Sequence, residues 1–290
     1  MHALGLVLAL LVQPAGQVAA DPAPIVAAER AFAADFPALG IGGSFTKWSE
    51  PDAIIIAGGE ARTVSEVFAE APRTRQPGEP LIEWWPVFAG IARSGELGFT
   101  TGPAARDQEG YGHYFTVWRR QDDGSWLWVY DGGSNASPAG QPGPETEPRL
   151  MAPATAWAAG PEAAWAQVRE AEAALAREAA TDQAAAHLAR LADDGVLYVA
   201  PLPPATGREA YARTLTGWAE RFAFGAAEGG GASEGGDLVW TYGLAEWMRD
   251  GQARRGHYMR LWRNGTEGWR IVMAHLIPAP IAAPSPAPAG

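Results

Sequence analysis

The chain carries one eight-residue frame twice, as "GHYFTVWR" at residues 112–119 and "GHYMRLWR" at residues 256–263. A frame that recurs at this distance marks a duplicated, domain-sized unit. Other landmarks keep the same spacing. Asp194 follows Asp52 by 142 positions, Asp237 follows Glu96 by 141 and Thr241 follows Thr100 by 141. His257 follows His113 by 144, and Trp269 follows Trp126 by 143. So small a drift predicts a tandem duplication of one unit of about 115 residues.

Each copy reads as helices first and strands last. In the first, Ile25, Ala28, Phe32, Phe36 and Leu39 form one helical stripe, which "GIGG" at 40–43 interrupts. Residues 45–48 read as a second short helix or turn. "DAIIIAG" predicts a strand, being rich in β-branched residues. "TVSEVFAEA" predicts a helix capped by Thr63, with Glu66 completing a capping box. Strands are expected over 81–92, 97–101, 113–120 and 126–130, with a hairpin turn at "QDDGS". In the second copy, residues 162–181, "AAHLARLADD" and "GREAYARTLTGWAERF" predict helices. "GVLYVA", "DLVWTYGLAEWMR", "GHYMRLWRN" and "GWRIVMAHL" predict strands. "EGGGASEGGD" reads as a flexible loop; it has no Lys and does not match a phosphate loop. The expected organisation is a leader at 1–20, a first unit at 22–137 and a Pro/Gly-rich linker at 138–160. A second unit follows at 161–278, then a Pro/Ala-rich tail at 279–290.

Composition narrows the function classes. The net charge of −11 argues against nucleic acid or an anionic membrane as a partner, because phosphate binding needs clustered Lys and Arg. Cysteine is absent, which excludes disulfides and thiol chemistry. Thirteen tryptophans need large buried surfaces or apolar pockets, with partners for their indole N–H groups. The apolar run at 3–12 is too short to span a bilayer and suits a signal-peptide core. Val18, Ala19 and Ala20 make an acceptable cleavage site, although no Lys or Arg precedes the run. A periplasmic or secreted protein without a membrane anchor is therefore expected. No HxH, HExxH or GxSxG frame occurs, so neither a metal nor a cofactor nor a serine nucleophile is expected.

Four stretches, "AERAFAADF" (28–36), "EWWP" (83–86), "GYGHYFTVWRRQDDGSWLWVYDGG" (110–133) and "GREA" (207–210), are more specific than the element order. They resemble uncharacterised, often exported bacterial members of the nuclear transport factor 2-like superfamily, which includes ketosteroid isomerase and the SnoaL-like polyketide cyclases. The resemblance covers residues 27–134 and 162–278. It implies an α+β protein made of two tandem cystatin-like, cone-shaped α+β domains, each with N-terminal helices packed on a curved antiparallel sheet. In that fold one sheet face closes the cone over the helices, and the other often forms a dimer interface. Both faces of the repeated strand would then be buried. The two units would form an intramolecular pseudo-dimer, sheet against sheet.

Alternation along the strand places His113, Phe115 and Val117 on one face and Tyr114, Thr116 and Trp118 on the other. The resemblance implies a cone pocket able to hold acid–base groups. Candidates are Asp35, Tyr111, His113, Tyr114 and Asp131 in the first copy, and Tyr198, Tyr242, His257 and His275 in the second. Relatives of the first copy often place a His after the Asp that closes the last strand. Here that slot is Gly132, whereas the second copy has His275. Trp84, Trp85, Trp118, Tyr242 and Trp262 are candidate ligand-binding walls. Each candidate also has a plain structural reading: a sheet-bound His, a helix-end Asp35, core tryptophans. The expected function is binding of a small apolar or amphipathic molecule. The alternatives are a cofactor-independent lyase or isomerase, and a scaffold whose cones are filled by their own tryptophans.

Overall fold

A computed structural model describes residues 20–107, 110–219 and 221–281. The expected leader, apart from Ala20, and the tail beyond residue 281 lie outside the described residues. The first copy comprises α1 (Ala23–Trp48), β1 (Ser49–Ala57), β2 (Glu60–Thr63), α2 (Val64–Val67), β3 (Ile82–Trp84), β4 (Phe88–Ile91), β5 (Leu97–Arg106), β6 (Gly110–Arg120) and β7 (Trp126–Asn135). After β8 (Arg149–Leu150) come α3 (Pro161–Ala179), α4 (Gln183–Leu188), β9 (Leu191–Val199), α5 (Arg208–Thr216), β10 (Phe222–Phe224), β11 (Gly229–Ala232), β12 (Leu238–Arg249), β13 (Gln252–Gly265) and β14 (Gly268–Pro278).

The protein is α+β, with two sheets, each preceded by helices. Both sheets share one unusual wiring. The first strand runs parallel to the last: Ile54 of β1 lies opposite Tyr130 of β7, and Val196 of β9 lies opposite Met273 of β14. The three long strands β5–β6–β7 and β12–β13–β14 form antiparallel meanders. Two short strands share the outer edge of the first meander strand, β3 and β4 on β5, and β10 and β11 on β12.

Local chemistry explains where expectation and structure part. The "GIGG" stretch kinks α1 rather than ending it, with Gly40 at φ 63°, ψ −176°. A Cβ there would sit 2.5 Å from the Glu79 carboxylate, so the left-handed turn needs glycine. The second copy breaks at the corresponding place, between α3 and α4, where Asp182 caps α4 by accepting from the Ala185 N–H at 2.9 Å. The Thr63–Glu66 capping box forms, on a helix of only four residues. The run at 81–92 divides into β3 and β4 around Pro86, which has no N–H for the ladder. "LADD" extends β9 instead of a helix. The stretch expected as a linker contains β8, paired to β4, and buries Met151 in the core. The glycine run expected as a loop forms β11. Gly230 adopts φ 149°, and a Cβ there would meet the Trp240 carbonyl oxygen at 2.0 Å.

Helices cover one face of each sheet, and the other faces meet. Phe32 and Phe36 of α1 pack on Trp84, Trp118 and Trp128. Val168 and Leu175 of α3 pack on Val239, Trp262 and Ile271. Between the sheets lies a shared core containing Phe99, Phe115, Val117 and Tyr130 from the first and Tyr198, Trp240, Met259 and Leu261 from the second. The contact has the reciprocity of a two-fold interface. The Arg93 N–H donates to Asp237 Oδ2 at 2.9 Å, and the Glu234 N–H donates to Glu96 Oε1 at 2.6 Å. Donor and acceptor positions are both related by the same offset of 141 residues.

Candidate functional site

The inner surface of each cone is built around a carboxylate that sits on the apolar stripe of its first helix. Glu29 lies one turn after Ile25, and Glu172 one turn after Val168. Both are buried. Trp84 Nε1–H donates to Glu29 Oε1 at 2.5 Å, Trp118 Nε1–H reaches Oε2 at 3.2 Å, and the Thr100 hydroxyl also donates to Oε2. In the second cone the Thr241 hydroxyl and Trp262 Nε1–H donate to Glu172 Oε1 at 2.6 and 2.8 Å. Glu, Thr and Trp recur at offsets of 143, 141 and 144 residues.

The copies diverge beside the carboxylate. Arg260 stands where the first copy has Thr116, 144 residues earlier. Its guanidinium binds Glu172 Oε2 at 2.5 Å and lies 4.3 and 4.2 Å from the ring centres of Phe224 and Tyr258. The guanidinium thus takes up the space beside Glu172, and a smaller cavity of about 310 Å³ remains between α3 and residues 224–227. In the first cone, the Thr116 hydroxyl instead donates to Asp131 Oδ2 at 2.9 Å, directly across the strand pair. Burial pushes Glu29 up to about 6 against the pull of its hydrogen bonds. Burial, then the negative charge of Glu29, pushes Asp131 well above the usual carboxylate range. The pair therefore resists a second negative charge.

A cavity of about 680 Å³ opens at the mouth of the first cone. Tyr114, Asp131, Ile82 and Ala104 line it from the sheet, and residues 277–281 of the second copy wall its far side. The Tyr114 hydroxyl is buried near Thr100 and the Glu29 carboxylate. Burial raises it well above its ordinary value, so it stays protonated.

The other sequence-derived candidates lie elsewhere. Asp35 joins the two arms of α1 by accepting from Lys47 Nζ at 2.5 Å and Trp48 Nε1–H at 2.7 Å. Burial opposes its ionisation, but these bonds prevail and hold it below the usual range. Tyr198, His113 and His275 form a layer between the sheets, with ring centres 4.5 and 5.2 Å from Tyr198. His275 Nε2 lies 2.5 Å from Ser134 Oγ, His113 Nε2 lies 3.1 Å from Gln141 Oε1, and Thr101 Oγ1 lies 3.0 Å from the Tyr198 hydroxyl. Burial lowers His113 to about 4, with the Gln141 bond opposing; burial and the neighbouring His113 lower His275 to about 3. Of the three, His113 reaches the cavity rim. His257 shares the inter-sheet face of β13, 3.4 Å from Glu228 Oε2. Tyr242 belongs to the same inter-sheet core, and Trp85 donates outward to the Pro142 carbonyl at 3.0 Å.

The structure therefore gathers Tyr114, Trp84, Trp118 and Asp131 in one cone. It adds Glu29, Thr100 and Thr116, which sequence reasoning missed. The available signal was a charged residue on the apolar stripe of both leading helices at matching offsets. Among the described residues no group of three or more His, Cys, Asp or Glu could hold a metal ion. No helix there is long and apolar enough to cross a membrane.

No protein-family model matches the chain, and no curated protein matches it. Several solved structures align with about two-fifths of it. A protein of unknown function of the DUF3225 family from Pectobacterium atrosepticum is 22% identical over 40% of this chain and 90% of its own, with a TM-score of 0.33. A nuclear transport factor 2-like protein with a cystatin-like fold from Novosphingobium aromaticivorans is 22% identical over 41% and 84%, with a TM-score of 0.33. A ketosteroid isomerase-like protein from Erwinia carotovora atroseptica is 17% identical over 40% and 96%, with a TM-score of 0.36. The chain is similar, over about one copy's length, to nuclear transport factor 2-like and ketosteroid isomerase-like proteins of cystatin-like fold.

Proposed function

We propose that the first copy binds a small amphipathic molecule at its cone mouth, with the ligand's polar group turned toward Tyr114 and Asp131. The observation that supports this reading is a 680 Å³ cavity with Tyr114 and Asp131 in its lining. The Arg260–Glu172 pair neutralises the carboxylate of the second cone and takes up space beside it, so one such site per chain is expected. Calorimetric titration with 1-naphthol tests both points. Binding near one equivalent, weakened roughly tenfold in Tyr114→Phe, supports the reading. Equal binding by Tyr114→Phe refutes it.

A second reading, a cofactor-independent lyase or isomerase, draws on Glu29 at about 6 beside Asp131. Two carboxylates that favour one proton between them can lend it to a bound molecule and recover it. Exchange of the α-protons of 2-tetralone in D₂O, followed by NMR, tests this reading. A rate no faster than buffer, or one unaltered in Asp131→Asn, rules it out. Export belongs to the same proposal and rests on the leader sequence; a chain lacking residues 1–20 should remain in the cytoplasm.

A further inference from the structure

The rim of the second cone differs from that of the first in a way that changes its chemistry. In the first copy the rim row is Ile82, Arg106 and Gly110, paired across β3, β5 and β6. In the second, the same row is Phe222, Trp247 and Arg254 across β10, β12 and β13. Two aromatic rings with centres 5.3 Å apart and a guanidinium replace an aliphatic side chain, a cation and a bare backbone.

This row lines a cavity of about 520 Å³, bordered also by Met248, Arg221 and Arg255. Phe222 and Trp247 are buried and form an apolar floor. Glu246 is the one carboxylate in the lining, and it faces Arg255 directly across the strand pair. Arg255 also reaches Glu60 of the first copy at 3.2 Å. Among the described residues, neither Arg221 nor Arg254 has an ion-pair partner. Two guanidinium groups beside an aromatic floor run against the −11 charge of the chain. A guanidinium at the edge of an apolar hollow suits a carboxylate whose hydrophobic body lies in the hollow.

We propose that the rim of the second cone is a binding site for a small aryl or acyl carboxylate. The charged head lies between Arg221 and Arg254, and the apolar body lies on Phe222 and Trp247. This site is separate from the mouth of the first cone and does not depend on the function proposed for it.

The probe is 2-naphthoate, titrated into the full chain by calorimetry, with 2-naphthylmethanol as its neutral counterpart. We expect 2-naphthoate to bind and the alcohol to bind at least roughly tenfold more weakly. Arg254→Gln and Arg221→Gln, each checked for fold by circular dichroism, should each weaken 2-naphthoate roughly tenfold. Binding should also fall as salt is raised. No binding up to about 5 mM overturns the proposal. So does equal affinity for the alcohol, or unchanged affinity in both arginine variants. Loss of binding in Tyr114→Phe would assign the anion to the first cone and overturn it as well.

Discussion

Glu29→Gln isolates the most unusual group in the first cone. Glu29 is fully buried, and its pKa rises from an ordinary 4.5 to about 6. A raised folded-state pKa means that the folded protein holds this proton more tightly than the unfolded chain. That stability is fully present below about 4.5 and is lost as pH rises through about 6. A shift of about 1.5 units corresponds to about 2 kcal/mol. Glutamine imitates the protonated side chain. Its oxygen accepts from Trp84, and its amide donates to the Thr100 oxygen, which already accepts from Trp118 Nε1–H at 2.9 Å. The variant should therefore match the wild type near pH 4 and exceed it by about 2 kcal/mol near pH 8. Urea denaturation followed by tryptophan fluorescence across pH 4–8 measures this difference. Because Asp131 is coupled to Glu29, the same comparison in an Asp131→Asn background sharpens the step. Parallel stability profiles for wild type and Glu29→Gln would refute the assignment of a strained buried carboxylate.

Arg260→Met strands the buried Glu172 carboxylate and should cost about 3–5 kcal/mol, most of it recovered in the Arg260→Met/Glu172→Gln double variant. A loss below about 1 kcal/mol in the single variant, by urea denaturation, contradicts this. His275 is held neutral, with a folded pKa of about 3 against an ordinary 6.5, so its stabilising contribution is lost as pH falls from about 6.5 toward 3. The wild type should forfeit about 2 kcal/mol to this residue by pH 5, and His275→Gln, which can still meet Ser134, should show a correspondingly shallower acid limb. An unchanged acid limb counts against it. Gly230→Ala forces a Cβ to within 2.0 Å of the Trp240 carbonyl and should lower stability by about 2 kcal/mol or more; an unaltered Tm disproves the close approach.

The repeat was the most legible part of the sequence, because matched landmarks need no knowledge of packing. Strand alternation correctly separated the Tyr114–Thr116–Trp118 face from the His113–Phe115–Val117 face, since a period of two survives any tertiary context. Glu29 escaped notice because a glutamate among alanines reads as surface. Only its spacing from Ile25 and the echo at Glu172 mark it as internal. The glycine stretch of β11 reads as a loop by composition; it becomes a strand by pairing with β12, where the Trp240 carbonyl and the Trp165 ring leave no room for a Cβ at Gly230. Residues 149–151 look like linker until β4 supplies a free edge for β8. The histidines drew attention as chemistry, whereas their neutrality follows from a burial that no local pattern encodes.

The reciprocal hydrogen bonds between residues 93–96 and 234–237 have the pattern of a homodimer interface, here within one chain. In a true homodimer every substitution strikes twice, once on each side of the axis, so an arginine introduced into one hollow would close both. Fusion removes that constraint. One hollow could accept Arg260 beside its carboxylate while the other kept Thr116, and the second half could go on supplying the wall its neighbour needs. Residues 277–281, at and just beyond the end of the second copy, border the mouth of the first cone and are the physical trace of that division of labour.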